Sequence, residues 1–201
     1  ASSSNHEGVV TATQTIKVNK RHVIFTGETA DRDYTGSEIE LTGVTSNENG
    51  LVSGTTHNVT YSAKGTDAKA EPYPGTITEV KDVVLTLGGK DVTKNYNIET
   101  KAGALTIKKI AAENNIELVP QNVEVTYDAA PHQTGVAKAT DKATGKAVKV
   151  EYSLSNDENA TWTEDPAALT QTDATETPVT VYVRASSSNH EGVVTATQTI
   201  K

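Results

Sequence analysis

The sequence predicts an all-β protein built from small sandwich domains. Apolar and polar residues alternate with a period of two, and Val and Thr dominate these runs, as expected for half-buried strands. Turn-forming residues separate the runs, as in SNENG at 46–50 and DKATGK at 141–146. Helical spacing is confined to IAAENNIEL at 110–118. The alternating runs occupy residues 9–18, 77–87, 98–109, 123–127, 148–154 and 177–185.

Short strands and frequent turns, in modules of about 90 residues, indicate two immunoglobulin-like β-sandwiches arranged in tandem and in line. The alternative is a pair of β-grasp-like modules. Each of those would need a crossing helix of about three turns, for which the polar stretch TKNYN at 93–97 is a poor candidate.

A perfect internal repeat sets the domain organisation. Residues 1–17 and residues 185–201 both read ASSSNHEGVVTATQTIK, so that position 185 repeats position 1 with an offset of 184. Identity of this kind indicates near-identical tandem units. We therefore interpret 1–17 as the tail of a preceding repeat, 18–109 as a first β domain and 110–201 as a second one.

The join between the two domains is predicted within KKIAAENNIELVPQN at 108–122, where the strand pattern is interrupted. The duplicated tail carries its own prediction. We expect residues 9–17 to form a strand and residues 1–5 to be mobile. Residues 1–17 also make strand exchange with a neighbouring molecule conceivable, since they duplicate a closing strand.

Three segments carry a family resemblance. KDVTKNYNIETKAGALTIKK at 90–109, VTYDAAPHQTG at 125–135 and VTVYVRASSSNHEGVVTATQTI at 179–200 resemble motifs of Ig-like, MBG-type tandem repeats of bacterial surface adhesins. Ala129 replaces the usual Gly and His190 the usual Tyr. The resemblance implies a cell-wall-anchored, extracellular stalk from a Gram-positive bacterium, without an active site.

Composition excludes several classes of function. The net charge of −8 and a sequence pI near 5.1 disfavour binding to nucleic acid and to anionic lipid. No apolar stretch is long enough to insert into a membrane, and the absence of Cys excludes disulfides and thiolate metal sites. An exposed, oxidising location agrees with this lack of Cys.

No catalytic residue, cofactor or metal site is predicted. His22, His57 and His132 lack metal-ligand spacing. The acidic segments 31–33 and 156–159 offer oxygen ligands for calcium, although solvated turns explain them better. An isopeptide bond from Lys17, Lys108 or Lys109 to Asn97 is possible in principle. The remaining catalytic motifs that we considered, a nucleophile elbow and phosphate-binding loops, do not occur.

Trp162, the only Trp, is the single candidate ligand-binding residue. It is either a platform on which a sugar stacks or, as we favour, the large aromatic anchor of the second domain's core.

The sequence as a whole leaves two functions open. The first is a structural spacer that projects a distal binding domain from the cell wall, with identical repeats as its neighbours. The second is an adhesive module that binds host glycan or matrix protein through loops of the second domain.

Overall fold

The structure is a computed structural model and describes residues 4–201. Strands form most of its regular structure. The helical elements are one α-helix, α1 (Ala112–Asn115), and the 3-10 turns Val80–Asp82, Thr93–Asn95 and Pro166–Ala168. The strands are β1 (Arg21–Gly27), β2 (Ala30–Asp33), β3 (Ile39–Leu41), β4 (Val44–Ser46), β5 (Thr55–His57), β6 (Tyr61–Gly65), β7 (Tyr73–Pro74), β8 (Thr76–Ile77), β9 (Leu85–Leu87), β10 (Lys90–Asp91), β11 (Tyr96–Lys101), β12 (Ala104–Lys108), β13 (Ile110–Ala111), β14 (Ile116–Val119), β15 (His132–Gln133), β16 (Lys138–Asp141), β17 (Lys149–Ser153), β18 (Thr170–Gln171), β19 (Val179–Ser186), β20 (His190–Glu191) and β21 (Val194–Ile200).

The predicted all-β class is confirmed. The strands pair into several small two- and three-stranded sheets. The β-grasp alternative fails because the longest helix within residues 4–201 is the four-residue α1, which cannot cross a sheet. None of the helices in this range is long and apolar enough to cross a membrane.

The chain folds into two compact units, each assembled from separate stretches of sequence. Unit 1 contains the described residues up to Thr26 together with Val44–Thr60 and Ile77–Lys101. Unit 2 contains Gly27–Gly43, Tyr61–Thr76 and Ala102–Lys201. The boundary between domains at residues 109 and 110 stays a prediction.

Unit 1 has a core formed by alternating strand residues. β1 pairs in parallel with β11, with Arg21 opposite Tyr96 and Thr26 opposite Lys101. Val23 and Phe25 on β1 point inward and are fully buried. They pack with further buried residues, namely Val59, Val83, Leu85 and Tyr96. Val23 and Phe25 lie two positions apart and therefore share the inward face of β1.

The N-terminal elements of unit 2 form small sheets around β12. This strand pairs in parallel with β2 and antiparallel with β7. Leu105 and Ile107 are its buried residues. Tyr61 is also buried, and its hydroxyl donates to the carbonyl of Glu28 over 2.8 Å, so that the phenol lies inside without an unsatisfied donor.

The C-terminal elements of unit 2 form two layers. One layer is the antiparallel sheet β17-β19-β21 and the other is the antiparallel pair β14-β16. Between them lies an apolar cluster with Tyr152 as its aromatic member. The other buried residues of this cluster are Ala137, Val181, Val183 and Ile200, and a neighbouring cluster contains Ala112, Ile116, Ala139 and Ala185. This packing of two sheets over one core is the sandwich arrangement.

The strand predicted over residues 9–17 is wrong. Residues 9–20 have no strand or helix and are exposed. Residues 193–200, which are identical in sequence to residues 9–16, contain β21. A strand needs a partner to bond its amide and carbonyl groups, and β19 supplies that partner only to β21. The sequence also predicts that residues 1–5 are mobile. Residues 1–3 of this segment lie outside the described residues.

Two other alternating runs are only partly strands. The run 77–87 contains a 3-10 turn before the short strand β9. The run 123–127 contributes a single bridge, from Val123 to Ile200. The segment with helical spacing, 110–118, does contain α1, and Ala112 and Ile116 are buried in unit 2.

Candidate functional site

Trp162 lies beside the outer face of the sheet β17-β19-β21 in unit 2. Its neighbour Thr163 exchanges two backbone hydrogen bonds with Tyr152 of β17, at 2.8 and 2.9 Å. The indole is partly buried and lies outside both apolar clusters of these layers. The aromatic anchor of this core is Tyr152, so the interpretation of Trp162 as the core residue is not supported. Its role in ligand binding stays a prediction.

The outward side chains of β19 and β21 form the floor of an open cleft of about 810 Å³ next to Trp162. Because side chains alternate along a strand, Tyr182 and Arg184 face outward while Val181 and Val183 face the core. The cleft therefore combines two aromatic rings, hydroxyls, a guanidinium and carboxylates. Its lining includes Asp157, Trp162, Tyr182, Arg184, Thr195 and Thr197.

Arg184 is held between the indole and a carboxylate. Its guanidinium carbon lies 4.3 Å from the centre of the Trp162 ring, which is a cation–π contact. Its Nε donates to Oε2 of Glu151 over 2.8 Å. Lys149 lies 2.9 Å from the other oxygen of Glu151. One face of the indole is thus occupied by a cation, and a stacking ligand has to use the other face.

The same cations set the charge of Glu151. The hydrogen bond from Arg184, together with that from Lys149, holds the pKa of Glu151 below its ordinary value of 4.5, against the opposing effect of burial. The pKa of Lys149 is raised, first by its hydrogen bond to Glu151 and then by Glu164. The network is therefore ionised at neutral pH.

Glu151→Gln is expected to lower stability at about pH 7 by roughly 1 kcal/mol, because it removes a charge-assisted acceptor. A carboxyl whose pKa is lowered by folding stabilises the fold above its unfolded pKa, and this contribution is lost as the pH falls through the folded value. The difference from wild type should therefore shrink as the pH falls below 4.5 and through the lowered pKa of Glu151. Urea unfolding over a series of pH values from neutral to acidic checks this, and a loss that stays the same over the whole series would contradict it.

In the two acidic segments, the carboxylates of Asp31 and Asp157 have partners within the protein. Asp157 accepts hydrogen bonds from the Ser155 hydroxyl at 2.6 Å and from the Asn159 amide at 2.9 Å. These bonds, that of Ser155 first, lower the pKa of Asp157. Asp31 pairs with Lys108 at 2.7 Å. Within residues 4–201 no group of three or more His, Asp or Glu side chains is arranged to hold a metal ion.

The histidines that were considered for chemistry have separate surroundings. His22 lies 3.6 Å from Glu99, and the ring of His57 packs on Phe25 at 4.7 Å between centroids. His132 shares a hydrogen bond of 2.9 Å with Asp128. The three histidines therefore contact different partners and do not form a common site.

The residues considered for an isopeptide bond do not fit that chemistry. Such a bond needs a buried Lys beside an Asn, but Lys17, Lys108, Lys109 and Asn97 are all exposed. Lys108 in addition forms its ion pair with Asp31.

Sequence reasoning missed a buried polar cluster in unit 2, centred on Asn189. The side-chain oxygen of Asn189 accepts from the amide of Ala68 at 2.8 Å, and its nitrogen donates to Asp67 at 2.9 Å. The carbonyl of Asn189 accepts from the amide of Ile110 at 3.3 Å. Asn189, a residue of the duplicated segment, thus bonds to residues that are each more than 70 positions away from it in sequence.

Tyr34 and His190 extend this cluster. The Tyr34 hydroxyl donates to Oδ2 of Asp141 over 3.0 Å, and burial followed by this carboxylate raises the pKa of Tyr34. His190 is 3% exposed and packs edge-on against the Tyr34 ring. Among the described residues, neither ring nitrogen of His190 has a hydrogen-bond partner. Asn189 and His190 lie in a polar segment, SSSNHEG, which has no alternation of apolar and polar residues. The sequence therefore did not indicate that these two residues are buried.

Asn189→Ala is expected to destabilise unit 2 by about 1–3 kcal/mol, because the amide of Ala68 would remain buried without an acceptor. Asn5→Ala is the matched control. It makes the same substitution within the same heptapeptide, at a residue that is exposed, and should change stability by less than about 0.5 kcal/mol. Denaturant unfolding of the two variants checks this, and equal losses would refute the role of the cluster.

Comparison with known proteins finds distant structural likeness among solved structures. No protein-family model matches the chain, and no curated protein sequence matches it either. Among solved structures, it is similar to three N-terminal domains of the bacteriophage RB49 highly immunogenic outer capsid protein (Hoc), with 16% identity and a TM-score of 0.28. The match covers 83% of this chain and 55% of that one. This likeness defines neither a family nor a function.

Proposed function

We propose that this chain is a structural spacer repeat of a cell-surface adhesin, which carries a distal binding domain away from the cell wall. The observation that carries the proposal is the identity of residues 1–17 with residues 185–201. The second copy supplies β20 and the closing strand β21 of unit 2. In a tandem array, the same closing strand would precede every unit 1.

The structure supports a mechanical role in two further ways. Unit 2 takes residues from both sides of position 109, and the hydrogen bonds of Asn189 to Ala68 and Asp67 connect these stretches. The chain also carries a net charge of −8, which keeps closely spaced identical copies soluble and opposes their association. A spacer needs both properties.

The test compares chains that contain one, two and three copies of residues 18–201, by small-angle scattering. A spacer predicts that the maximum dimension grows in proportion to the number of copies. A dimension that grows only with the cube root of mass, as for copies that collapse onto one another, would overturn the proposal.

A second candidate function rests on the cleft beside Trp162, as a site for host glycan or matrix protein. Its aromatic rings, hydroxyls and carboxylate are groups that hold sugars in general. Titration with a panel of glycans, followed by isothermal titration calorimetry, tests it directly, because this readout does not depend on the only Trp of the chain. Binding should disappear in Trp162→Ala and persist in Tyr127→Ala, whose exposed ring lies elsewhere on unit 2. No binding to the wild type, or binding that Trp162→Ala leaves unchanged, would exclude this site.

A further inference from the structure

β21 is the strand that closes unit 2, and it has a partner on each side. Seven residue pairs join it to β19, from Val194 opposite Ala185 to Ile200 opposite Val179. On the other side, the amide of Val123 donates to the carbonyl of Thr199 at 2.8 Å, and the amide of Lys201 donates to the carbonyl of Val123 at 3.0 Å. Backbone groups on both edges of β21 are thus bonded.

Gln198 fixes the register of this strand. It is 1% exposed, and its side-chain oxygen accepts from the amide of Gln121 at 2.9 Å. Its side-chain nitrogen donates to the Thr134 hydroxyl at 2.7 Å and to the carbonyl of Gly135 at 2.6 Å. A shift of one residue would expel this amide and the buried Ile200 from the core together. The site therefore selects its strand by sequence.

The residues that pair with β21 or bond to its side chains lie outside the duplicated segment. The exception is Ala185, near the end of β19. The site is thus a slot that a separate strand of the correct sequence can fill. Residues 4–17 have that sequence, because Gln14 and Ile16 correspond to Gln198 and Ile200. Ile16 is 93% exposed, whereas its counterpart Ile200 is 1% exposed, so an apolar side chain that the slot buries is available in residues 4–17.

We propose that residues 4–17 are a transferable closing strand, which fills the β21 slot in unit 2 of a second copy of this chain when the resident strand of that copy fails to pair. The contacts made by donor and resident strand are the same, so replacement gains nothing by itself. The resident strand has the advantage of being attached to its own slot, which gives it a high effective concentration. The donor therefore binds where the resident strand fails to pair, and the wild-type chain remains a monomer.

The test uses the full chain with proline as a strand breaker. In β21 the amides of residues 199 and 201 lie on the side of residue 123, so the amide of Gln198 faces β19. Gln198→Pro removes that amide and the buried side chain, and it leaves residues 4–17 intact. Gln14→Pro is the matched control, with the same substitution in the same local sequence. The double variant lacks both strands.

Gln198→Pro is expected to form oligomers that grow over a tenfold concentration range, measured by light scattering after size exclusion. Amides of residues 9–16 should gain protection from hydrogen exchange in these oligomers. Gln14→Pro and the wild type should remain monomeric. A monomeric Gln198→Pro, or oligomers that form equally in the double variant, would overturn the proposal.

A peptide provides a second measurement that does not depend on oligomers. The labelled peptide SNHEGVVTATQTIK, residues 4–17, should bind the double variant and raise its fluorescence anisotropy. The same peptide with Pro in place of Gln14 should bind at least ten-fold more weakly, as a strand that loses its register-fixing amide does. Equal binding of the two peptides, or no binding of either, would likewise overturn the proposal.

Discussion

Ile200→Ala should destabilise unit 2 by about 2–5 kcal/mol, whereas Ile16→Ala should change stability by less than about 0.5 kcal/mol. Both substitutions remove the same atoms from the same tripeptide, Thr-Ile-Lys. Ile200 is 1% exposed and belongs to the apolar cluster of the two layers, while Ile16 is exposed. The cost of a cavity therefore applies to one position only.

This pair is unusually well controlled because effects on the unfolded chain nearly cancel. Intrinsic strand preference and residual local structure depend on neighbouring residues, and the fifteen residues before Ile16 are identical to the fifteen before Ile200. Urea unfolding, followed by the amides of unit 2 in hydrogen exchange, measures the difference. Comparable losses in the two variants would mean that residues 9–16 are packed in solution.

Phe25→Ala is the second substitution with a large expected effect, a loss of about 3–5 kcal/mol in unit 1. Phe25 is the only Phe, is fully buried and packs against the ring of His57. In a protein with 4% aromatic residues, few other side chains can fill the space that it leaves. Marginal domains of this size have a total stability of the same order.

Val18→Ala is the control for that experiment, since Val18 lies close in sequence but is exposed. It should change stability by less than about 0.5 kcal/mol. Hydrogen exchange at amides of β1 and β11 locates the loss in unit 1. An unchanged midpoint of unfolding for Phe25→Ala would show that this core is not the one that stabilises the unit.

The sequence was a good guide wherever a strand has one face inside and one face outside. The alternation within 177–185 indicates a strand with one inward face, and Val181 and Val183 of β19 are buried. It was a poor guide to Trp162, because the size of an aromatic ring favours burial but does not fix its position. The sequence did not indicate that Asn189 is a buried hydrogen-bonding residue, because its partners Asp67 and Ala68 are more than 120 positions away.

Composition and alternation by themselves determined the all-β class, and the identity of residues 1–17 with residues 185–201 determined the repeat. Tertiary structure alone decided which copy of the repeat becomes a strand. Residues 9–16 and 193–200 have the same propensities, yet only the second segment has β19 on one side and residue 123 on the other. The hydrogen bonds of a strand are made with other segments, in contrast to those of a helix, and a sequence of eight residues cannot specify whether its partners are present.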